Sequence, residues 1–311
     1  MWEKAISSSE TVSVIIRAFN AEKYIKKALS SILNNTYKGP IEIVICYDTG
    51  SKDRTRDKIE EFISENQYRG NRIIKLISHV HATPFYSLLN CGFMNATGRF
   101  ISILDYDNLY PRKHVEKMVD TAIKTGKDFL FVRDYFFDDR SLRIIGLTPL
   151  PRNPYDITQL IKRNYIDGNA IFIDKSCLSI ILKKLQRLSH RLYEFIFEDW
   201  LIALLGLKHC RPYFVEDSFV FYRVHASDLT GVNIKGYRRD YRTNILSRTR
   251  DISTLIAFYE LEKENLSREE ICAIENSLII RLLVLAKSLG DGVVNAPLLN
   301  IYSRIASIIY R

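Results

Sequence analysis

The chain has 311 residues, 47% hydrophobic and 26% charged, so it can bury a sizeable core, and this composition argues against a disordered protein. Its 45 basic and 36 acidic residues give a net charge of +9, which favours polyanionic partners: nucleic acid, phosphorylated ligands or an anionic membrane face. The odd number of cysteines and the lack of a CxxC spacing predict neither a disulfide framework nor a zinc site, and favour a reducing compartment: Cys46, Cys91, Cys177, Cys210 and Cys272.

The first residues, "MWEKAISSSE", lack the apolar core of a signal peptide. The longest apolar runs are interrupted by charge, as by Arg281 in "SLIIRLLVLAK". We therefore predict no membrane span and a cytoplasmic chain, with peripheral contact at the inner face of the membrane as an alternative.

Up to about residue 105, short β-rich runs alternate with helical stretches. This alternation predicts a parallel sheet covered by helices on both faces. The runs are "TVSVII", "AEKYIKKALSSIL", "IEIVIC", "SKDRTRDKIEEFISEN", "RIIKLI", "PFYSLLNCGFMNAT" and "RFISIL".

From Asp128 the pattern becomes mixed. "DFLFVRDYFFDD" and "SLRIIG" predict a hairpin, and the β-like "NAIFID" and "YFVEDSFVFYRVH" enclose the helical "SCLSIILKKLQRLSHRLYEFI" and "FEDWLIALLGLKH". Beyond His225 helical periodicity prevails, and Ser267 with Glu270 predicts a capping box. We predict a domain over residues 1–230 and a helical extension over residues 231–311.

Parallel sheets bind ligands beyond the carboxyl ends of their strands. The residues at those ends are Arg17 to Asn20, Tyr47 to Ser51, His79 to Pro84 and Asp105 to Asp107. A hard divalent cation takes one or two carboxylates from a protein and the rest of its ligands from water and substrate phosphates. In "DYDN" the alternation of an extended chain lets Asp105 and Asp107 act separately; the alternative is a pair of solvated loop acids.

The order of the motifs from Val12 to His225 resembles family 2 of the inverting GT-A glycosyltransferases. The motifs are "RAFN", "YDTGSKD", "NCG", "ATGRFISILDYDN", "FEDW" and "YRVH". The resemblance implies an α/β GT-A fold: a mixed, mostly parallel sheet with helices on both faces, plus the C-terminal helical extension. It also implies an inverting hexosyltransferase that uses Mn²⁺ or Mg²⁺ and a nucleotide sugar, with UDP favoured over GDP.

The resemblance distributes roles over the strand ends. It places Asp48 as acceptor of a nucleobase N–H; helix capping by Asp48 or Ser51 is the alternative. It places Phe19 in the stacking position, with core packing as the alternative. The nucleotide-sugar site then comprises Ala18, Phe19, Asn20, Asp48, Asp105, Tyr106 and Arg223, and the metal site Asp107, Asp105 and His225.

The chain departs from the family pattern at three positions: Arg17 replaces a usual proline, Thr49 a frequent aspartate, and Leu89 a common arginine near the diphosphate. Another cation must then offset the diphosphate charge, and the candidates are Arg223, Lys235, Arg238 and Arg239. Gly231 and Gly236 suggest a loop able to close over the nucleotide.

"FEDW" places Glu198 and Asp199 at the start of a helix, where the dipole favours carboxylates and would lower their pKa. The resemblance makes Asp199 the general base for the acceptor hydroxyl, with Glu198 orienting the acceptor or the helix start. The alternative is a pair of acids that only stabilise the helix.

Other functions fit less well. A nucleotidyltransferase would need a glycine-rich phosphate loop after the first strand, and "RAFNAEKYI" has no glycine. Net charge and the run "KGYRRDYRTNILSRTR" suggest a nucleic-acid- or membrane-surface-binding scaffold of the same fold, but intact strand-end acids favour the enzyme and no nucleic-acid partner. The acceptor is expected to be a glycan or lipid-linked, and the C-terminal helices to contact membrane, a second copy or the catalytic domain.

Overall fold

A computed structural model describes residues 10–66, 70–225 and 241–289, without the side chains of residues 241–244 and 286–289. It confirms the predicted α/β class, with eight strands in one sheet. The strands are β1 (Val12–Ala18), β2 (Ile41–Asp48), β3 (Arg72–His79), β4 (Phe100–Ile103), β5 (Phe129–Asp138), β6 (Ile144–Leu147), β7 (Ile171–Asp174) and β8 (Pro212–Val224).

The strand order is β3-β2-β1-β4-β7-β5-β6, and β8 pairs with β5. The first four strands are parallel, as the alternating pattern predicts. Strand β7 is antiparallel to both β4 and β5, so β5 runs in the direction of β4, and β8 runs parallel to β5. The carboxyl ends of β1, β2, β4, β5 and β8 therefore lie along one edge of the sheet. The predicted hairpin is β5 with β6, which pair antiparallel.

Nine helices of the described chain cover the sheet. They are α1 (Ile25–Leu33), α2 (Thr55–Glu65), α3 (Pro84–Ser87), α4 (His114–Thr125), α5 (Ile157–Lys162), α6 (Lys175–Leu185), α7 (Glu198–His209), α8 (Tyr241–Glu262) and α9 (Arg268–Leu289). Helix α3 continues into a π-helical turn at Leu88–Phe93. The helical pattern predicted after Ser176 is interrupted, because α6 ends at Leu185 and a 3-10 turn follows at His190–Phe195.

The C-terminal helices share a core with the sheet. Phe258 of α8 and Ile274 of α9 are fully buried in the apolar cluster that also holds Ile15 of β1 and Phe129 of β5. The predicted capping box at the start of α9 is confirmed, since Glu270 N donates to Ser267 Oγ at 3.2 Å. The predicted boundary between residues 230 and 231 lies outside the described residues and stays a prediction.

The prediction of unpaired cysteines is wrong. Cys46 of β2 is bonded to Cys91 in the π-helical turn, and Cys177 of α6 is bonded to Cys210 after α7, while Cys272 is free and exposed. The partners are 45 and 33 residues apart, a spacing that carries no sequence signature. The inference of a reducing compartment, which rested on unpaired cysteines, loses its support.

Within the described ranges, every helix is too short or too polar to cross a membrane.

Candidate active site at the carboxyl edge of the sheet

The two aspartates after β4 have different partners, but the predicted extended tip is wrong: residues 106 and 107 form a turn, closed by Asn108 N donating to the Asp105 carbonyl at 3.1 Å, and this turn separates the two carboxylates. Asp105 accepts from Arg17 Nη2 at 2.7 Å and from Asn169 Nδ2 at 3.1 Å, and its own N–H donates to Asn169 Oδ1 at 2.6 Å. Asp107 Oδ2 lies 2.9 Å from His225 Nε2. Tyr106 between them is partly buried and packs against the apolar core. Asp105 and Asp107 are thus held in fixed and separate orientations.

Asp107 and His225 form a hydrogen-bonded pair, and both belong to the predicted metal site. Burial raises the pKa of the Asp107 carboxyl, and the hydrogen bond with His225 opposes that rise. Adjacent ligands of an octahedral cation, each about 2.0–2.1 Å from the ion, lie about 3 Å apart. The observed 2.9 Å equals that separation and is also an ordinary hydrogen-bond length, and the carboxylate oxygen is a donor that suits Mn²⁺ or Mg²⁺.

Arg223 contacts the segment after β4 through the backbone of Asp107. Its guanidinium is buried, donates through Nε to the Asp107 carbonyl at 2.8 Å and pairs through Nη1 with Asp139 at 3.0 Å. It also lies over the rings of Tyr24 and Phe137. Arg223 therefore positions the backbone of Asp107, and its predicted role toward the diphosphate stays a prediction. The other cations predicted for that task, Lys235, Arg238 and Arg239, and the glycines of the predicted closing loop, Gly231 and Gly236, lie outside the described residues.

Arg17 joins the two halves of the site. It donates to Asp105 after β4 and, at short range, to Glu198 at the start of α7. Burial alone would lower the pKa of Arg17, but Asp105 and Glu198 together raise it. The residue that departs from the family's proline thus links the strand end to the helix that carries Asp199.

The end of β2 forms one wall of the candidate site. Asp48 is buried; its Oδ1 accepts from Gly50 N at 2.8 Å, and its Oδ2 lies 2.9 Å from His81 Nδ1. The rings of His81 and Phe19 are 4.9 Å apart. Phe19 is 39% exposed, which excludes core packing. Neither Asp48 nor Ser51 caps α2, because the side chain that accepts from the first backbone N–H of the helix, Thr55 N, is Asp53.

Ala18 and Asn20 complete this wall. Ala18 is buried, so the backbone lies close to neighbouring elements. Asn20 has a positive φ of 48°, a conformation asparagine adopts more readily than most residues, and its Oδ1 accepts from Lys52 N at 2.8 Å. The ends of β1 and β2 are thereby fixed to each other.

Asp199 lies at the start of α7, as predicted, but its electrostatics differ from the prediction. Burial raises the pKa of Asp199 well above the ordinary carboxyl value, and Asp167 and Glu198 raise it further, while a hydrogen bond from Asn164 at 3.1 Å opposes them. The helix dipole was expected to lower it, but desolvation is the larger effect. Gly168 packs closely against Asp199, since a Cβ added to Gly168 would lie 3.3 Å from the Asp199 Cβ.

Asp134 of β5 belongs to the same acidic group. It is buried, accepts from Thr148 Oγ1 at 3.1 Å, and its Oδ1 has no hydrogen-bond partner in the described part of the chain. Burial raises its pKa well above the ordinary value, with Asp167 and Asp199 adding to the rise.

Several residues of the site were not predicted. His81 lies in the strand-end segment from His79 to Pro84, which the sheet rule identified without assigning a role. Arg17 was noted as the first strand-end residue and as a departure from the family, without a role. Asn164 and Asp167 follow a proline-rich loop and carry no periodic signal, and Asn169 begins the β-like run "NAIFID". Nothing in the sequence connects these residues with strand ends far from them in the chain.

The sequence and fold match known proteins. A sequence model described as glycosyl transferase family 2 matches residues 13–186. The chain is 28% identical over 168 residues to the UDP-Glc:alpha-D-GlcNAc-diphosphoundecaprenol beta-1,3-glucosyltransferase WfgD of Escherichia coli, covering 54% of this chain and 62% of that relative, less than two thirds. It is 27% identical over 239 residues to the similarly described WfaP of Escherichia coli, covering 76% of this chain and 86% of WfaP.

Solved structures resemble the fold at low sequence identity. The mannosyltransferase PcManGT from Pyrobaculum calidifontis, in complex with GDP-Man and Mn²⁺, is 15% identical with a TM-score of 0.54, covering 96% of this chain and 81% of that one. TarS 1–349 of S. aureus with UDP-GlcNAc is 15% identical with a TM-score of 0.52, covering 89% and 82%. Together with the family match over more than half of its length, this places the chain in glycosyl transferase family 2, with a GT-A fold.

Proposed function

We propose that the chain transfers a sugar from a nucleotide-diphosphate donor to an acceptor hydroxyl, with inversion, in one cation-dependent displacement. The observation that carries the proposal is the meeting at one sheet edge of the Asp107–His225 pair and of Asp199, with Arg17 linking Asp105 to Glu198. The relatives WfgD and WfaP are described as using UDP-Glc, and TarS was solved with UDP-GlcNAc. They favour UDP over GDP, which the mannosyltransferase structure holds.

The nucleobase would lie against Phe19 and His81. If His81 Nδ1 donates to Asp48, the Nε2 of the same ring is an acceptor, which suits the N–H of a uracil. Asp48 keeps its predicted place at the base and acts partly by orienting this imidazole. Ala18, Asn20 and Tyr106 shape the wall around the base and ribose.

Asp107 and His225, with Asp105 beside them, would hold Mn²⁺ or Mg²⁺. When bound, the cation neutralises the charge that develops on the departing diphosphate. Arg223 fixes the Asp107 backbone through its carbonyl, and Asn169 and Arg17 fix Asp105.

Asp199 is the general base. Its carboxylate takes the proton of the acceptor hydroxyl while the oxygen bonds to the anomeric carbon and the bond to the diphosphate breaks, leaving a nucleoside diphosphate. A raised pKa suits this role, because a base whose pKa approaches the working pH accepts a proton more readily. Glu198, held by Arg17, orients the start of α7.

The acceptor is proposed to be a glycan on a lipid carrier, because the names of WfgD and WfaP specify a diphosphoundecaprenol acceptor. A nucleic-acid partner is not proposed. A homodimer or membrane contact through the C-terminal helices stays a prediction.

The test is thermal stabilisation of the purified chain by UDP, GDP, ADP and their sugars, with Mn²⁺, Mg²⁺ or chelator. We expect UDP compounds to stabilise the chain only with the cation, and His81→Ala to weaken UDP more than His79→Ala. Lack of cation-dependent stabilisation by any nucleoside diphosphate would refute the proposal.

A further inference from the structure

The turn and edge strand from Arg140 to Leu147, here called the β5–β6 tip, expose an unusual amount of apolar surface. Leu142 is 65% exposed, Ile144 50%, Ile145 39% and Leu147 40%. Leu142 also has a φ of 55°, in the left-handed region that glycine and asparagine adopt at least cost. A partner that covers this leucine would offset the cost of its exposure to water.

The tip is also basic. Arg140 and Arg143 flank Leu142, both are exposed, and the segment from residue 140 to 147 contains no acid. Neither arginine has an ion pair within 4 Å among the residues that the structure describes. The adjacent Asp139 is already paired with Lys23 and Arg223. The tip therefore offers two uncompensated guanidinium groups beside apolar side chains.

The geometry favours a fluid partner over a rigid one. Side chains alternate along a strand, so Ile144 points to one face of β6 while Ile145 and Leu147 point to the other. A partner must therefore cover the tip from both sides, which a lipid interface does and a flat protein face does not. Strand pairing with another chain is restricted, because β6 has four residues and Pro149 follows it closely.

We propose that the β5–β6 tip binds the surface of an anionic phospholipid bilayer, with its apolar side chains at the acyl boundary and its arginines on the phosphates. The base of the tip adjoins the acidic group of the site, because Thr148 N donates to the Asp134 carbonyl at 2.9 Å and Thr148 Oγ1 to the Asp134 carboxylate. Bound in this way, the chain would bring the part of the site that holds Asp134 toward the bilayer. The surface is independent of the proposed chemistry.

The test is co-sedimentation of the full chain with vesicles of phosphatidylglycerol and phosphatidylcholine, compared with phosphatidylcholine alone. We expect binding to the anionic vesicles, weakened about tenfold or more by Leu142→Asn, which suits the left-handed backbone. The pair Arg140→Gln and Arg143→Gln should weaken binding about fivefold per charge. The matched control is Ile73→Asn, because Ile73 is 51% exposed on β3 at the opposite edge of the sheet.

Failure of the wild-type chain to bind anionic vesicles would overturn the proposal, as would equal effects of Leu142→Asn and Ile73→Asn. Self-association that Leu142→Asn abolishes, with vesicle binding unchanged, would instead assign the tip to a second copy and also overturn it. Both tip variants should keep the UDP-dependent thermal stabilisation of the wild-type chain. That result would show that the variants fold and that a loss of vesicle binding is separate from any failure of the transferase proposal.

Discussion

The two groups of acids at the carboxyl edge differ in what surrounds them. Asp105 and Asp107 after β4 have basic partners, Arg17 and His225. The acceptor-side acids, Asp134, Asp167 and Asp199, lie near one another, and burial with mutual repulsion raises the pKa of Asp134 and Asp199. Burial raises the pKa of Asp107 as well, but there the hydrogen bond with His225 opposes the rise, whereas Asp167 adds to the rise at Asp134 and Asp199. The same residue type, aspartate, thus differs in its pKa shift according to its surroundings.

The largest effect is expected at the acceptor-side acids. Asp199→Asn should lower kcat by about 10²–10⁴-fold, because an amide cannot accept the proton, while the KM for the donor changes little. Steady-state kinetics with donor and acceptor varied separately measure this. Asp217→Asn, at an exposed acid of β8, is the control. Full transfer activity in Asp199→Asn would show that the base is another group.

The acids after β4 should respond to metal instead. Asp107→Asn or His225→Ala should raise the Mn²⁺ concentration for half-maximal activity by about 10–100-fold, because each removes a candidate ligand. Asp105→Asn should chiefly raise the donor KM, since Asp105 is held by Arg17 and Asn169. Equal shifts in metal requirement for Asp105→Asn and Asp107→Asn would contradict the division between them.

The pH profile should separate the two groups further. Asp199 must be ionised to act, so kcat/KM should fall as pH falls through its raised pKa, above the ordinary carboxyl range. Asn164 donates to the ionised Asp199, so Asn164→Ala should move this acid limb to higher pH. Asn66→Ala, at the end of α2, is the control. A lower rate with an unmoved limb would assign Asn164 another role.

The smallest effect is on stability. The folded state raises the pKa of Asp134 above its unfolded value, so between the two values folding binds protons, and the free energy of unfolding falls as pH rises. Asp134→Asn should reduce this dependence, leaving the part that comes from Asp199, and raise the free energy of unfolding at pH 7 by about 1–3 kcal/mol. Urea unfolding at pH 5 and pH 8 measures it. An unchanged pH dependence would mean that Asp134 ionises freely in the folded state.

Phe19, Asp48, Asp105 and Asp107 could be identified from the sequence, because a buried parallel strand is recognisable by a local apolar run. The residues that follow such a run must lie at the carboxyl end of the strand, where these sheets bind ligands. The same locality placed Glu198 and Asp199 at the start of a helix. It could not give the sign of the pKa shift at Asp199, because desolvation depends on what packs around the carboxyl. It also missed the disulfides, whose partners come from separate elements.

The sequence by itself determined the alternation of strands and helices, the acids at the strand ends and the order of motifs shared with the family, since each is written within a few neighbouring residues. Only the tertiary structure decided the partners. Arg17 meets Glu198 across 181 residues, because the start of α7 packs at the end of β1, and His225 meets Asp107 across 118, because β8 and β4 end at the same edge of the sheet. Such pairs set charge and protonation, and no local pattern encodes them.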